Sequence, residues 1–269
     1  MLGLVFVPTL LVFVTSVLTR DETNFVQATF TGQNYARLMS SDYFAVFVNS
    51  CFLGLVTTGL CLLIAYPFAY YLSRLPARLK PVLLFLLIVP FWTNSLIRIY
   101  AMKLLLAANG LVNKFLLSAG LISQPLEMLY TDGAVVAGLV FLLFPFMVLP
   151  LYAVFEQLPR SYWEAAADLG ARSFTFWRRV VLPLSLPGII AGTLLVFIPA
   201  MGMFYVADLL GGAKQVLAGN LIKEQFLDAR DWPFGSAAAV LLTLALSGLL
   251  WAYFASVKRL PSRGDRVVV

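Results

Sequence analysis

Residues 159–183 read PRSYWEAAADLGARSFTFWRRVVLP, a polar segment between two long apolar ones. Ser161 and Glu164 have the spacing of a capping box, in which the serine oxygen accepts the amide of Glu164 and the carboxylate accepts the serine amide. The alanines that follow are the best helix formers. Gly170 supplies the left-handed position that ends a helix. The pattern therefore predicts a short helix, a glycine turn and a second helix from Ser173.

The first predicted helix has two explanations. Glu164 is explained as a capping residue alone, or as part of a surface that binds another protein. Glu164 and Asp168 lie four residues apart, and the alanines between them leave a smooth, shallow ridge that fits a cleft. We favour the second explanation. The second helix, which Pro183 is expected to close, is predicted to place three apolar side chains on one face: Phe174, Trp177 and Val181.

The composition excludes a soluble domain. Of the 269 residues, 61% are hydrophobic and only 12% are charged, and the mean hydropathy is +0.90. Soluble domains average roughly 45–50% apolar and about 25% charged residues. Chains that cross lipid form helices or closed barrels, because lipid offers backbone polar groups no partner. The apolar runs are longer than the segments of about ten residues typical of a barrel. They predict an all-α polytopic membrane protein.

Six apolar segments are long enough to cross a hydrocarbon core about 30 Å thick, which takes about 20 residues each. They are predicted at 1–18, 44–72, 81–106, 133–156, 184–207 and 235–257. Residues 1–257 then form a single transmembrane domain with a loop at 159–183, and residues 258–269 form a short tail. The first segment resembles a signal-peptide core but has no basic start and no small-residue cleavage site at Arg20-Asp21-Glu22, so we expect a true span. Both the present Met1 and a start further upstream fit this pattern.

Lysine and arginine are unevenly distributed between the two sides of these spans. Eleven lie in 74–80, in 159–183 and in the tail, whereas six lie in the opposite loops, which also hold most of the acids. The side richer in lysine and arginine faces the cytoplasm. Both termini and the segment 159–183 are therefore predicted to be cytoplasmic. The net charge of +6 follows from this bias and does not indicate nucleic-acid binding.

The residue types argue against several kinds of chemistry. The chain has no histidine, which removes imidazole metal ligands and histidine-based catalysis. Cys51 and Cys61 lie about 15 Å apart along one predicted helix, too far for a disulfide. Residues 211–214 lack the spacing of a phosphate-binding loop, so we expect a partner to hydrolyse ATP. We expect no enzyme activity, no metal site and no bound cofactor in this chain.

A family resemblance rests on the polar segment. Glu164-Ala165-Ala166, three residues, Gly170, nine residues, Val180 and then Leu182-Pro183 resemble the EAA loop of binding-protein-dependent ABC importer permeases. The family usually has isoleucine where Val180 stands, a change with little effect on packing. The resemblance implies a type I importer fold in which this loop seats in an ATPase subunit as the coupling helix. The residues expected to make that contact are Glu164, Ala165, Ala166, Asp168, Gly170, Leu182 and Pro183.

Further strings resemble one branch of that family. They are residues 66–69 (YPFA), 89–100 (VPFWTNSLIRIY), 199–214 (PAMGMFYVADLLGGAK) and 230–235 (RDWPFG). They are similar to the spermidine/putrescine permeases, in particular to the first of that system's two permease subunits. Branches for other organic cations, opines or iron share parts of these strings. The resemblance implies import of a polyamine, with another small organic cation or an opine as the alternative.

The same resemblance implies the partners. They are a dimer of ATPase subunits that holds ATP and Mg²⁺, a second homologous permease subunit, and a periplasmic binding protein that delivers the cargo. The expected location is the inner (cytoplasmic) membrane of a bacterium, in contact with lipid.

Polar residues within the predicted spans are candidates for the substrate pathway. The candidates are Trp92, Asn94, Ser95, Tyr205 and Asp208. The first three follow a kink expected at Pro90, and helix-to-helix packing explains them equally well. The last two close the fifth span, where a carboxylate beside an aromatic ring suits an ammonium ion. A solvated span end or an interhelical salt bridge is the alternative for Asp208.

Two cations of the third span are unsuited to a cationic cargo. We expect Arg98 and Lys103 to pair with outer-loop acids such as Glu127 or Asp132, or with other subunits.

An ion-coupled secondary transporter is the rival function from another class. It would need carboxylates at mid-membrane, and the predicted span interiors show no clear one.

Overall fold

In a computed structural model the chain is mostly helical. The structure describes residues 2–21, 25–159, 161–168, 170, 172–212 and 216–258. The elements, in chain order, are α1 (Leu2–Thr15), β1 (Leu18–Thr19), β2 (Gln27–Phe30), α2 (Gln33–Leu38), α3 (Ser41–Arg74), α4 (Lys80–Ile88), a 3₁₀ turn (Val89–Trp92), α5 (Ser95–Leu106), α6 (Leu111–Ser118), α7 (Asp132–Glu156), α8 (Ser161–Asp168), α9 (Ser173–Phe176), a first π turn (Trp177–Val181), α10 (Leu182–Gly202), α11 (Phe204–Val206), a second π turn (Ala207–Gly211), α12 (Ala218–Leu227) and α13 (Trp232–Lys258). The predicted tail lies outside the described residues, except for Lys258.

Five helical stretches of the described chain are long and apolar enough to cross a membrane. They are Ser41–Arg74, Ser95–Ser118, Asp132–Glu156, Phe174–Gly202 and Trp232–Trp251. Two apolar helices, Phe6–Thr15 and Lys80–Trp92, are shorter. The prediction of a helical polytopic membrane protein is confirmed. The spans predicted at 44–72, 133–156 and 235–257 each lie on one helix.

The third span, predicted at 81–106 with a kink at Pro90, is divided into two helices in the structure. Thr93 and Asn94 are extended, with ψ of 148° and 132°. The side chain of Asn94 accepts the Leu96 amide at 2.8 Å and so begins a new helix, α5. Pro90 lies in the preceding 3₁₀ turn and has no amide hydrogen to continue an α-helix. The kink expected at this proline is thus a full break a few residues later.

The fifth span also differs from its predicted bounds of 184–207. Its helix starts at Phe174 and ends at Gly202, where Met203 leaves the helical conformation with ψ of 66°. Pro183 does not close the second helix of the polar segment, because the first π turn carries that helix into α10. Proline has no amide hydrogen, and a π turn shifts the hydrogen-bond register so that the helix continues through Pro183.

Of the three side chains predicted to share one face, Val181 is buried but Phe174 is not. That ring is 75% exposed, whereas Phe176 takes the buried position beside Val181.

Contacts divide the chain into two units, of which the larger is Val46–Asn220. Its centre is α7. Of the 18 consecutive residues that make up the apolar part of α7, 61% are buried, whereas only 11% of the corresponding residues in Ser95–Ser118 are buried. Helix α10 packs closely on α7 because two glycines face it. A Cβ at Gly188 would lie 3.0 Å from the Pro150 carbonyl oxygen, and one at Gly192 would lie 2.6 Å from Met147 Sδ.

The smaller unit comprises Met1–Ala45 and Leu221–Val269. Within it α1 and α2 pack on α13. Arg37 donates to the buried carboxylate of Asp231 at 3.0 Å, and its guanidinium lies 4.2 Å from the ring centroid of Phe234. Burial lowers the pKa of Arg37, but the hydrogen bond and the charge of Asp231 outweigh burial and leave this pKa raised. Asp231 also accepts the Phe234 amide at 3.2 Å, which caps α13.

Candidate functional site

The larger unit contains an open cavity of about 570 Å³ beside the break between α4 and α5. Residues of the break form one wall, α7 forms a second, and the segment after α10 forms a third. Four of the five predicted pathway residues meet there, although Tyr205 lies more than a hundred residues from the other three in the chain. The lining residues are Phe91, Trp92, Thr93, Asn94, Ser95, Arg98, Leu142, Phe146, Met203 and Tyr205.

Two interruptions of regular helix place these side chains. The first is the extended pair Thr93–Asn94, which leaves Trp92 77% exposed at the cavity. The second is Met203, whose amide still donates to the Pro199 carbonyl at 3.0 Å before the chain turns. Tyr205 follows this turn and lines the cavity. Non-helical backbone at membrane depth is tolerated where it lines a cavity or is buried in protein, because its polar groups need partners.

Four of the ten lining residues are aromatic. The rings of Phe91 and Phe146 meet edge to face, with centroids 5.2 Å apart. Trp92 packs in the same way on Phe85 at 5.9 Å. Aromatic faces attract organic cations through the ring quadrupole, most strongly where water is excluded. Phe91 and Phe146 were not predicted as site residues, since each follows a proline in an apolar run that reads as ordinary span.

Arg98 is the one charged residue among the ten described residues that line the cavity. Its guanidinium lies 5.0 Å from the ring centroid of Phe91, and its buried Nε has no hydrogen-bond acceptor among the described residues. Lys103 instead lies over the ring of Tyr130, with Nζ 5.8 Å from the centroid. The predicted pairing of these cations with Glu127 or Asp132 is wrong within the described part of the chain.

Asp208 does not line this cavity. It lies in the second π turn, where its Oδ1 accepts a hydrogen bond from Asn220 Nδ2. The same amide donates to the Phe204 carbonyl at 3.1 Å, and Asn220 Oδ1 accepts the Leu217 amide at 3.1 Å. Through these hydrogen bonds the buried Asn220 joins the second π turn to the start of α12. Nothing in the local sequence pattern pointed to this residue.

The polar segment contains the predicted helix–glycine–helix arrangement. Helix α8 covers Ser161–Asp168, and Gly170 has φ of +66°, the left-handed conformation. No atom lies within 4 Å of the position that a Cβ at Gly170 would take. The residues predicted to contact the ATPase are exposed except for Ala166, which is half-buried; the others are Glu164, Ala165, Asp168, Gly170, Leu182 and Pro183.

An aromatic cluster lies where this segment meets the apolar helices. Tyr66 and Tyr70 of α3 both meet Phe155 of α7 edge to face, at 5.2 and 5.5 Å between centroids. Trp177 of the first π turn packs on Tyr70 at 4.5 Å. The hydroxyl of Tyr66 lies 2.9 Å from Ser185 Oγ in α10, within hydrogen-bonding distance. Movement of the polar segment would therefore be transmitted to three apolar helices.

Comparison with known proteins identifies the family. The pattern of the binding-protein-dependent transport system inner membrane components matches residues 61–261. The chain belongs to this family. It is 52% identical over 250 residues to the spermidine/putrescine transport system permease protein PotB of Escherichia coli K12, covering 93% of this chain and 91% of that protein. It is 51% identical over 256 residues to PotB of Haemophilus influenzae, covering 95% and 90%.

A solved structure agrees on the fold. The match is a bacterial ABC transporter that imports the acidic polysaccharide alginate, with a TM-score of 0.69 at 17% identity, covering 96% of this chain and 92% of that one. The predicted resemblance to an importer permease of the inner membrane is confirmed by the family match and by the PotB relatives. The roles of individual residues stay predictions.

Proposed function

We propose that this chain is one of two permease subunits of an ATP-driven importer that brings polyamines, spermidine or putrescine, into the cell. The observation that carries the proposal is the 52% identity, over 93% of the chain, to permease proteins named for that transport system. A periplasmic binding protein delivers the cargo. A related importer structure, 15% identical, is described in complex with such a protein. A dimer of separate ATPase subunits binds ATP and Mg²⁺, so this chain is not itself an enzyme.

The proposed topology has six crossings with both termini in the cytoplasm. Four of the long stretches, all except Ser95–Ser118, each provide one crossing, and the N-terminal apolar segment provides another. The sixth is made by α4 and α5 together, broken at the cavity. The excess of lysine and arginine in 74–80, in 159–183 and in the tail supports this orientation.

The segment 159–183 is proposed to be the contact with the ATPase. Its exposed helix α8 is joined to α9 through the turn at Gly170, and α9 continues through the first π turn into α10. Displacement of α8 would therefore act on α10 directly and on α3 and α7 through the aromatic cluster of Tyr66, Tyr70, Phe155 and Trp177. This supports a role in which ATP binding by the partner opens alternate sides of the pathway.

The cavity is proposed to lie on the cargo pathway. Its aromatic rings suit an alkylammonium chain, which carries charge and apolar methylenes together. Replacing Trp92 with alanine should weaken cargo interaction by about 0.5–2 kcal/mol, or roughly 2- to 30-fold in KM. Trp251 is the matched control, since it is also 75% exposed but does not line the cavity.

The test is ATP-dependent uptake of labelled spermidine by vesicles that contain all subunits, with unlabelled amines as competitors. The tagged chain should co-purify with an ATPase and a second six-span subunit. Glu164→Ala should lower ATPase recovery and uptake while membrane insertion stays normal. Uptake that needs no ATP, or an ion gradient in its place, would instead identify a secondary transporter.

A second candidate cargo is an organic cation that also carries a carboxylate, such as an opine. Arg98, the charged residue of the cavity lining, favours this candidate because guanidinium and carboxylate groups pair well. An opine among the unlabelled competitors decides between the two cargoes. It should compete strongly only if the natural cargo carries a carboxylate that pairs with Arg98.

A further inference from the structure

Arg98 has a charge that the described chain does not balance. The side chain is half-buried within an apolar stretch, Ser95–Ser118. None of the described residues accepts a hydrogen bond from its guanidinium, and no acidic residue lines the cavity around it. The ring of Phe91 offers a weak electrostatic partner at 5.0 Å. Charged side chains at membrane depth normally pair or face water, because an unpaired charge there is costly.

The stretch Ser95–Ser118, which comprises α5 with Arg98 and also α6, is the least buried of the long apolar stretches in the described chain. Only 11% of its 18 apolar-segment residues are buried by the rest of this chain. Its exposed side chains include Ile97 at 66%, Tyr100 at 54% and Leu104 at 72%. These residues alone do not distinguish a lipid-facing surface from a protein-facing one, since both are apolar. The charge of Arg98 does distinguish them, because lipid tails cannot balance it and an acidic side chain can.

We propose that a carboxylate of the second permease subunit reaches into this cavity and pairs with Arg98 in the assembled importer. This inference rests on the proposed function, which supplies the second subunit. Arginine suits the role because its planar fork binds a carboxylate through two parallel hydrogen bonds. The open side of the cavity and the uncovered face of α5 give the partner helix its approach.

A consequence concerns the cargo. The described residues supply aromatic rings and one cation to the cavity, and none of them lines it with a carboxylate. A polyamine needs negative charge as well as aromatic faces. The partner's acid would supply that charge and at the same time lower the repulsion from Arg98. The proposed acid would therefore complete the set of groups that this cavity offers to a polyamine.

The experiment uses charge reversal in the whole complex. Tagged chains with Arg98→Glu, Arg98→Gln or Arg98→Lys are expressed with the second permease subunit and the ATPase. Recovery of the second subunit and uptake of labelled spermidine are measured. Lys103→Glu is the matched control, because Lys103 lies on the same helix but does not line the cavity. We expect Arg98→Glu to lower recovery of the second subunit at least tenfold and Arg98→Gln to lower it less. Arg98→Lys, which keeps the charge but loses the fork, should lower it least, and Lys103→Glu should leave it near the wild-type level.

The decisive arm is rescue. Each acidic residue in the apolar segments of the second subunit is changed to arginine in turn, in combination with Arg98→Glu. One such change should restore both recovery and uptake. The inference is overturned if none does so while the Arg98→Glu chain is inserted at normal levels. It is also overturned if Arg98→Glu assembles and transports normally. That result would mean that the wild-type guanidinium is solvated by water and has no partner in the second subunit. Normal assembly with lost uptake would assign Arg98 to the cargo instead. If the wild-type chain recovers no second permease subunit, the proposed function itself fails.

Discussion

The glycine turn of the polar segment offers the sharpest test of the ATPase contact. Gly170 adopts φ of +66°, and a Cβ placed there would meet no atom within 4 Å. Gly170→Ala therefore introduces backbone strain without a steric clash. Gly170→Asn is the conservative variant, because asparagine tolerates the left-handed conformation better than alanine does.

The expected loss of ATPase affinity in Gly170→Ala follows from that geometry. The left-handed conformation costs a non-glycine residue about 1–2 kcal/mol. If the ATPase binds only the bent form, the ratio of bent to unbent chains falls about 5- to 30-fold, and the apparent affinity falls by up to the same factor. Gly120 provides a matched control, since it has φ of +68° and equally open surroundings but lies outside the polar segment. Gly120→Ala carries the same strain.

The assay is titration of purified ATPase against the chain in vesicles, with ATP-driven uptake as a second measurement. Gly170→Ala should weaken ATPase binding about 5- to 30-fold, Gly170→Asn less, and Gly120→Ala not at all. Equal binding by all three variants would refute the role assigned to residues 159–183. So would a loss of binding in Gly120→Ala as large as that in Gly170→Ala.

Three further predictions concern helix packing, a buried hydrogen-bonded amide and a helix cap. Gly188→Ala places a methyl carbon 3.0 Å from a backbone carbonyl oxygen of α7, and should lower the thermal midpoint of the purified chain at a cost of about 1–3 kcal/mol. Asn220→Ala removes the donor to Asp208 and to the Phe204 carbonyl, so amides of the second π turn should exchange hydrogen faster. Asp231→Ala removes the cap of α13 and the partner of a half-exposed arginine, and should cost about 1–2 kcal/mol in thermal unfolding.

Controls for these predictions come from the same chain. Gly59→Ala lies on α3 with open space around its Cβ position, so its thermal midpoint should not fall. Asp231→Asn keeps a capping side chain and should cost less than Asp231→Ala. Asp42→Ala removes an exposed carboxylate and tests for general effects of charge. A midpoint for Gly188→Ala equal to that of Gly59→Ala would contradict the close contact between α7 and α10. Unchanged exchange in Asn220→Ala would contradict the role of its amide.

Much of the candidate site followed from the sequence. Trp92, Asn94, Ser95 and Tyr205 were each predicted from a polar or aromatic side chain near the end or kink of an apolar run. Their meeting at one cavity could not be predicted in this way, because it depends on how the segment after α10 packs against α7. Asp208 shows the reverse case. Its aromatic neighbours predicted a cation site, but the amide of Asn220, twelve residues further along, binds its carboxylate.

The break in the third span illustrates a limit of local signals. Pro90 indicated an irregularity, but the extended pair at Thr93 and Asn94 was not predicted. Asparagine is a good residue at the start of a helix, and here it caps α5. The same residue type is compatible with many positions in a loop or span, so the local pattern did not reveal that a new helix begins there.

The sequence alone determined that the chain is a helical membrane protein and that it carries a helix, a glycine turn and a second helix between two apolar segments. Hydropathy, capping and glycine preference act over a few residues, and a linear pattern records them. Tertiary structure alone decided that Arg98 lies in an aromatic cavity that no acidic residue of the described chain lines. Whether a charge is balanced depends on distances between side chains far apart in sequence, and only the packing of the helices sets those distances.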